Sequence, residues 1–259
     1  MKAVSLEHIY KLFGPHQKEA YKMLKEGANR AEVINKLQIM PAVIDVSLDV
    51  EPGEIFVLMG LSGSVKSTLC RCINLLHKPS YGSVKIFDQD IQNLSDQELR
   101  KLSSEKISMV FQNFGLLPHF TVLENAMWGL DIQHVDKEEA KKKAQHALAQ
   151  VGLAKWQDSF PDELSGGMKQ RVGLARALAA DTDIILMDEA FSALDPLIRS
   201  EMQDGLLSLQ EDLQKTIIFI THDLNEAMYL GNRIAILKDG RLVQVGTGED
   251  ILENPLTTT

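Results

Sequence analysis

Cysteine is almost missing from this chain of 259 residues, which carries only Cys70 and Cys72. Two thiols two positions apart on one predicted helix point to different faces, which favours buried, inert side chains over a metal or redox site. Long apolar runs are missing too: no stretch approaches the roughly 20 consecutive apolar residues that a membrane helix requires. No basic leader followed by an apolar segment is visible, so no secretory signal is expected and the chain should stay in the cytosol. Basic excess is also lacking, with 27 Lys and Arg against 36 Asp and Glu and a net charge of −9. That balance, without any long Lys/Arg run, argues against nucleic acid as a main partner. The densest charged patch, Lys137 to Lys143, mixes Glu138 and Glu139 with lysines. Its helix carries Ala140, Ala144, Ala147, Leu148 and Val151 at helical spacing and reads as a solvated face.

What the chain does contain is a phosphate-binding loop with one altered letter, Gly60-Leu61-Ser62-Gly63-Ser64-Val65-Lys66-Ser67-Thr68. In the pattern G-x-x-x-x-G-K-[ST], backbone N–H groups cradle phosphates, the Lys reaches the β/γ-phosphates and the first hydroxyl ligates Mg²⁺. Here the second glycine is Val65. The apolar run from Glu54 to Met59 suits a buried strand, and a helix is predicted from Lys66 to Leu76, its positive dipole end facing the loop. A β-branched residue at 65 has stiff torsions, and a positive φ there would strain the backbone, so weakened ATP binding is expected.

Further along, Ile184-Ile185-Leu186-Met187-Asp188-Glu189 is an apolar strand ending in two carboxylates. A nucleotide hydrolase needs such a pair, one acid to hold Mg²⁺ through water and one to polarise the attacking water. Ser165-Gly166-Gly167 opens a helix through Leu178 and forms a second anion-binding helix start.

The run Leu164-Ser165-Gly166-Gly167-Met168-Lys169-Gln170-Arg171 resembles the signature motif of ATP-binding-cassette ATPases. In the same order as in that family, Val110-Phe111-Gln112 resembles the Q-loop, Ser192-Ala193-Leu194-Asp195 the D-loop and Ile220-Thr221-His222-Asp223 the switch histidine. The resemblance covers nearly the whole chain. It implies an α/β fold, a P-loop NTPase core with an N-terminal antiparallel β region and an inserted α-helical subdomain. It also implies a head-to-tail homodimer, each ATP lying between the P-loop of one copy and the signature turn of the other.

Organisation follows the same outline, as one cassette without internal repeats. A first strand, Ala3 to Phe13, is separated from the next, Ala42 to Val50, by an insertion at 14–41 that reads as two short helices, His16 to Glu26 and Arg30 to Leu37, the second begun by Asn29 with Glu32 three residues on. It serves either packing or a function of its own. A helical subdomain is expected at 113–180 and a return to the core at 181–259, closing with a hairpin at Asp239-Gly240. The insertion, Phe160-Pro161-Asp162-Glu163 before the signature and Ala190-Phe191 after Glu189 resemble the ATPase subunits of glycine betaine/proline-type osmoprotectant importers. In that family paired nucleotide-sensing regulatory domains commonly follow the cassette; they are expected to be absent here, the sequence being either a piece of a longer chain or a member without them.

The resemblance, with the chemistry above, assigns roles by position. Lys66 supplies charge to the phosphates, within a nucleotide-binding loop of Gly60, Ser62, Gly63, Ser64, Val65, Lys66, Ser67 and Thr68. Ser67, Gln112 and Asp188 are the Mg²⁺ contacts, Gln112 also sensing the membrane partner. Glu189 is the general base and His222 holds the γ-phosphate. Ser165, Gly166 and Gly167 close on the opposite ATP, with Asp195 lining that interface; Phe13, or nearby Tyr10, stacks on adenine. The implied partners are a second copy, transmembrane permease subunits at the cytoplasmic face of the plasma membrane and, indirectly, an extracytoplasmic solute-binding protein. Two rival functions stay open: a hydrolysis-defective, nucleotide-responsive assembly module, and a soluble cassette ATPase outside transport.

Overall fold

The computed structural model describes residues 1–60 and 63–253, with only the backbone at 63 and 64. The chain forms two compact units, residues 1–95 with the stretch from 220 onward, and residues 96–219.

The first unit opens with β1 (Val4–Phe13), two short helices α1 (Gln17–Lys25) and α2 (Arg30–Leu37), then β2 (Met40–Val50), β3 (Ile55–Met59), α3 (Gly63–Ile73), β4 (Tyr81–Ile86) and β5 (Gln89–Asp90). The second contains α4 (Asp96–Lys106), β6 (Ile107–Val110), α5 (Val122–Ile132), α6 (Lys137–Gln150), α7 (Gly166–Ala179), β7 (Ile184–Asp188) and α8 (Pro196–Leu213). Strand β8 (Thr216–Thr221) leads back to the first unit, which closes with α9 (Leu224–Leu230), β9 (Arg233–Lys238), β10 (Arg241–Gly246) and α10 (Gly248–Glu253).

In the first unit β2-β1-β4-β5 form an antiparallel sheet, and β10-β9-β3 lie side by side, β3 pairing with β9 in parallel and β9 with β10 antiparallel. In the second unit the order is β8-β7-β6, with β6 and β7 parallel. All five residues of β7 and all six of β8 are buried, and for β7, which pairs with β6 in parallel, that is what coverage on both faces gives. Helix α2 begins with the full capping box, Asn29 Oδ1 accepting from Glu32 N–H and Glu32 reaching back to Asn29 N–H. Ala20, Leu24 and Val33 of α1 and α2 pack with Tyr10, Leu12, Ile39 and Ile44. The two short helices therefore complete an apolar cluster on the antiparallel sheet.

The sequence predicts the helix after the phosphate loop from Lys66, whereas α3 starts at Gly63. Glycine is among the residues least tolerant of a helix interior, and Val65 removes one from this first turn. No helix among the described residues is long and apolar enough to cross a membrane.

Candidate nucleotide-binding site

In the first unit the phosphate loop leaves β3 at Gly60. A Cβ there would lie 2.3 Å from the Leu237 carbonyl oxygen of β9, so only glycine fits. The Lys66 side chain is wholly buried, and its Nζ donates to the Gly60 carbonyl at 2.6 Å. Its ammonium is thus held just past the end of β3. Ser67 is half-buried and Thr68 buried. Leu61 and Ser62 lie outside the described residues, as does the side chain of Ser64. Val65 has a helical backbone, so the strain of a positive φ does not arise here; its side chain is instead 2% exposed. Beneath the loop, burial pushes the Cys72 thiol up to about 12, which keeps it protonated and inert.

The two aromatics at the end of β1 differ sharply in access. Tyr10 is 3% exposed and meets Tyr21 edge-on at 4.8 Å. Phe13 is 39% exposed, with Lys11 Nζ 4.9 Å from its ring centre and His77 edge-on at 5.4 Å. Phe13 is therefore the aromatic of the pair open to a base. His222 also stands exposed, on a turn fixed from within: Thr221 Oγ1 donates to buried Glu226 and accepts Asp223 N–H at 3.0 Å. Asp223 in turn caps α9 by accepting from Asn225 N–H.

In the second unit Asp188 ends β7 and is 7% exposed. Glu189 follows with φ 48°, a conformation that costs a non-glycine residue of order 1–3 kcal/mol and is concentrated at functional sites. Gln112 Nε2 lies 3.4 Å from Glu189 Oε2 and 3.3 Å from Ser192 Oγ, which itself donates to the Glu189 carbonyl at 2.8 Å. The Q-loop amide and the proposed base thus share one hydrogen-bonded turn. Asp195 caps α8, its Oδ1 accepting Ile198 N–H at 3.1 Å, with Pro196 at the first helical position. Ser165 and Gly166 are exposed at the start of α7, where Ser165 Oγ accepts Met168 N–H at 3.3 Å.

Ser67, Gln112 and Asp188 each carry a side-chain oxygen, the donor class Mg²⁺ prefers. Among the described residues no three His, Cys, Asp or Glu side chains converge on one point.

Two residues that the motifs do not name hold the segment after the Q-loop. Asn125 of α5 is fully buried; its Oδ1 accepts Leu117 N–H at 2.8 Å, and its Nδ2 donates to the Leu117, Phe120 and Thr121 carbonyls at 3.0–3.1 Å. Arg176 of α7 donates to the Gly115 carbonyl at 2.7 Å and the Phe114 carbonyl at 3.3 Å, burial lowering its pKa from the usual guanidinium value. The signal for Asn125 is a polar residue inside the apolar stripe of Val122, Ala126 and Leu130. Asn125→Ala strands part-buried backbone groups of Leu117, Phe120 and Thr121 and should cost about 2 kcal/mol in denaturant unfolding. A loss below about 1 kcal/mol would count against this bracing role.

Segment and groove belong together. Phe111, Leu117, Trp128, Ile132 and Arg176 line a largely apolar cavity of ≈ 300 Å³, and Phe120 meets Trp128 edge-on at 5.6 Å.

The family model for ABC transporters matches residues 43–192, and the chain belongs to that family. It is 54% identical over 252 residues to the glycine betaine/proline betaine transport system ATP-binding protein ProV of Escherichia coli, covering 97% of this chain and 63% of that protein. It is 52% identical to the glycine betaine transport ATP-binding protein OpuAA of Bacillus subtilis, covering 97% of this chain and 60% of that one. The chain thus spans about three-fifths of the length of these relatives. Among solved structures, the dimeric ATP-binding cassette MJ0796 bound to ADP and phosphate aligns with a TM-score of 0.79 and 34% identity, over 95% of this chain and 98% of that one.

Proposed function

We propose that this chain is the ATP-hydrolysing subunit of an importer for a small osmoprotectant such as glycine betaine or proline. It works as a head-to-tail pair beneath permease subunits at the cytoplasmic face of the plasma membrane, the solute being delivered by an extracytoplasmic binding protein. The observation that carries the catalytic reading is the turn after β7, where a buried Asp188, a Glu189 held at positive φ and the Gln112 amide come together. The solute class comes from the relatives named for glycine betaine transport.

Within this reading Lys66 leaves the Gly60 carbonyl for the β/γ-phosphates, and Phe13 stacks on adenine. The loop amides and Thr68 surround the phosphates, and Ser67, Gln112 and Asp188 hold Mg²⁺, which when bound neutralises developing phosphate charge. Glu189 takes the proton of the attacking water, His222 holds the γ-phosphate, and Ser165, Gly166 and Gly167 of the partner close the site beside Asp195.

The apolar groove beside Leu117 is assigned to a cytoplasmic helix of the permease. Glycine betaine uptake by cells that carry this chain with its permease tests the reading. Leu117→Asp with Phe120→Asp should abolish co-purification of the permease and reduce uptake at least tenfold, while the unfolding midpoint stays near that of the parent. Normal assembly of that double variant would remove the groove from the coupling path.

A second reading, a nucleotide-responsive module that does not turn over, is favoured by one observation. Val65 is buried in the first turn of α3 while Lys66 is engaged with the loop's own carbonyl. ATP hydrolysis measured with and without Val65→Gly separates the two.

A further inference from the structure

Gly167 sits in the turn that opens α7, and a Cβ built on it would lie 2.6 Å from Cγ2 of Ile198. Real Cβ atoms do not approach so closely, and the obstacle is the stiff branch point of a β-branched side chain in a helix. Ile198 has little freedom to retreat. Its N–H is bound by Asp195 at 3.1 Å, and the next residue, Arg199, donates to the Ser192 and Leu194 carbonyls at 3.4 and 3.1 Å. The first turn of α8 is therefore fastened to the segment that starts at Glu189. One turn deeper, Arg171 pairs with Glu201 at 3.1 Å. Beyond that pair the flanks of α7 and α8 line a cavity of ≈ 270 Å³, with Leu174, Met202, Gly205 and Leu209 on its wall. At this end of the two helices Gly167 thus faces Ile198 and Arg171 pairs with Glu201.

The geometry points to Ile198 as a positioning residue that sets the height of the Gly167 backbone and ties the signature turn to the Asp195 segment of its own subunit. The inference rests on the reading that Ser165, Gly166 and Gly167 close on the nucleotide of a second copy. Under it, position 167 is glycine because of an isoleucine in the same chain, and not only because a phosphate passes close by. A shift of the turn carrying Glu189 is then passed through α8 to the surface offered to the partner.

The test is a double-variant cycle in the full chain carrying Val65→Gly, read as kcat and as KM for ATP. Gly167→Ala should lower kcat roughly tenfold or more, since overpacking costs of this size displace the turn. KM should stay within about threefold, because the P-loop of the same subunit is untouched. Adding Ile198→Ala makes room for the new methyl and should restore at least half of the lost activity on a logarithmic scale. Ile198→Val, which keeps the Cγ2 methyl, should behave as the parent. A double variant as slow as Gly167→Ala alone would overturn the inference. If the Val65→Gly chain shows no turnover at all, the functional reading itself fails. The contact is then judged by the thermal unfolding midpoint: recovery in the double variant upholds it, and no recovery overturns it.

Discussion

Replacing Val65 by Gly is expected to strengthen ATP binding roughly ten- to a hundredfold, and to restore hydrolysis with it. The reason lies in burial. The Val65 side chain is 2% exposed within the first turn of α3, and withdrawing an apolar side chain of that size from its packing costs about 1.5–3 kcal/mol. The N–H groups of a helix's first turn already point toward the phosphates, so the turn need open only at Val65, where closing the loop tightly draws the side chain out of its contacts. Glycine has no side chain to lose and a weaker preference for the helix, so the same opening is nearly free of this penalty.

Lys66 adds to the barrier in this chain. Its buried Nζ is already bound at 2.6 Å to the Gly60 carbonyl, and phosphate must outcompete that bond. Isothermal titration of ATP into the two proteins decides the matter. Equal affinities at the ordinary strength of a nucleotide-binding cassette would show that the turn opens without cost, and the argument from burial would fail.

Much of this architecture is legible in residues. Asp188 and Glu189 announce themselves because an all-apolar run ends abruptly in two acids. The helix at Arg30 is announced by Asn29 and Glu32, and the final hairpin by Asp239-Gly240. Each of these is a local rule whose outcome no distant residue changes. The start of α3 is not of that kind: the motif predicts an open loop through Val65, whereas the helix begins at Gly63, because a letter that the motif demands has been replaced by one that tolerates a helix.

The bracing residues were hidden for another reason. Asn125 and Arg176 act on carbonyls of Leu117 and Gly115, far off in sequence or around a turn, and no periodicity carries that information. The difference in access between Tyr10 and Phe13 depends on Tyr21 from the inserted helix, which covers Tyr10. Roles at Gln112, Glu189 and Ser192 are visible as separate motifs, and the shared hydrogen-bonded turn appears only once β6 and β7 lie side by side.

Glu189→Gln, made together with Val65→Gly, is expected to lower ATP turnover by about 10²–10⁴ while leaving ATP affinity unchanged. The substitution is nearly isosteric. A glutamine at 189 retains an amide oxygen able to accept from Gln112 Nε2, so the 3.4 Å contact and the turn closed by Ser192 on the Glu189 carbonyl can persist. What is lost is the ability to take a proton from water, since an amide is not a base near neutral pH. The φ of 48° at this position is set by the backbone of the turn and tolerates glutamine as it tolerates glutamate. With chemistry blocked and binding intact, the ATP-bound pair should accumulate, visible as a shift to twice the mass in size-exclusion chromatography with ATP and not with ADP. Asp188→Asn serves as the contrast, expected to weaken Mg²⁺-dependent ATP binding as well as turnover, because the proposed function assigns that carboxylate to Mg²⁺ and Glu189 to the water. Turnover in the Glu189→Gln protein within about threefold of its Val65→Gly parent would place the base elsewhere, with His222 as the next residue to replace.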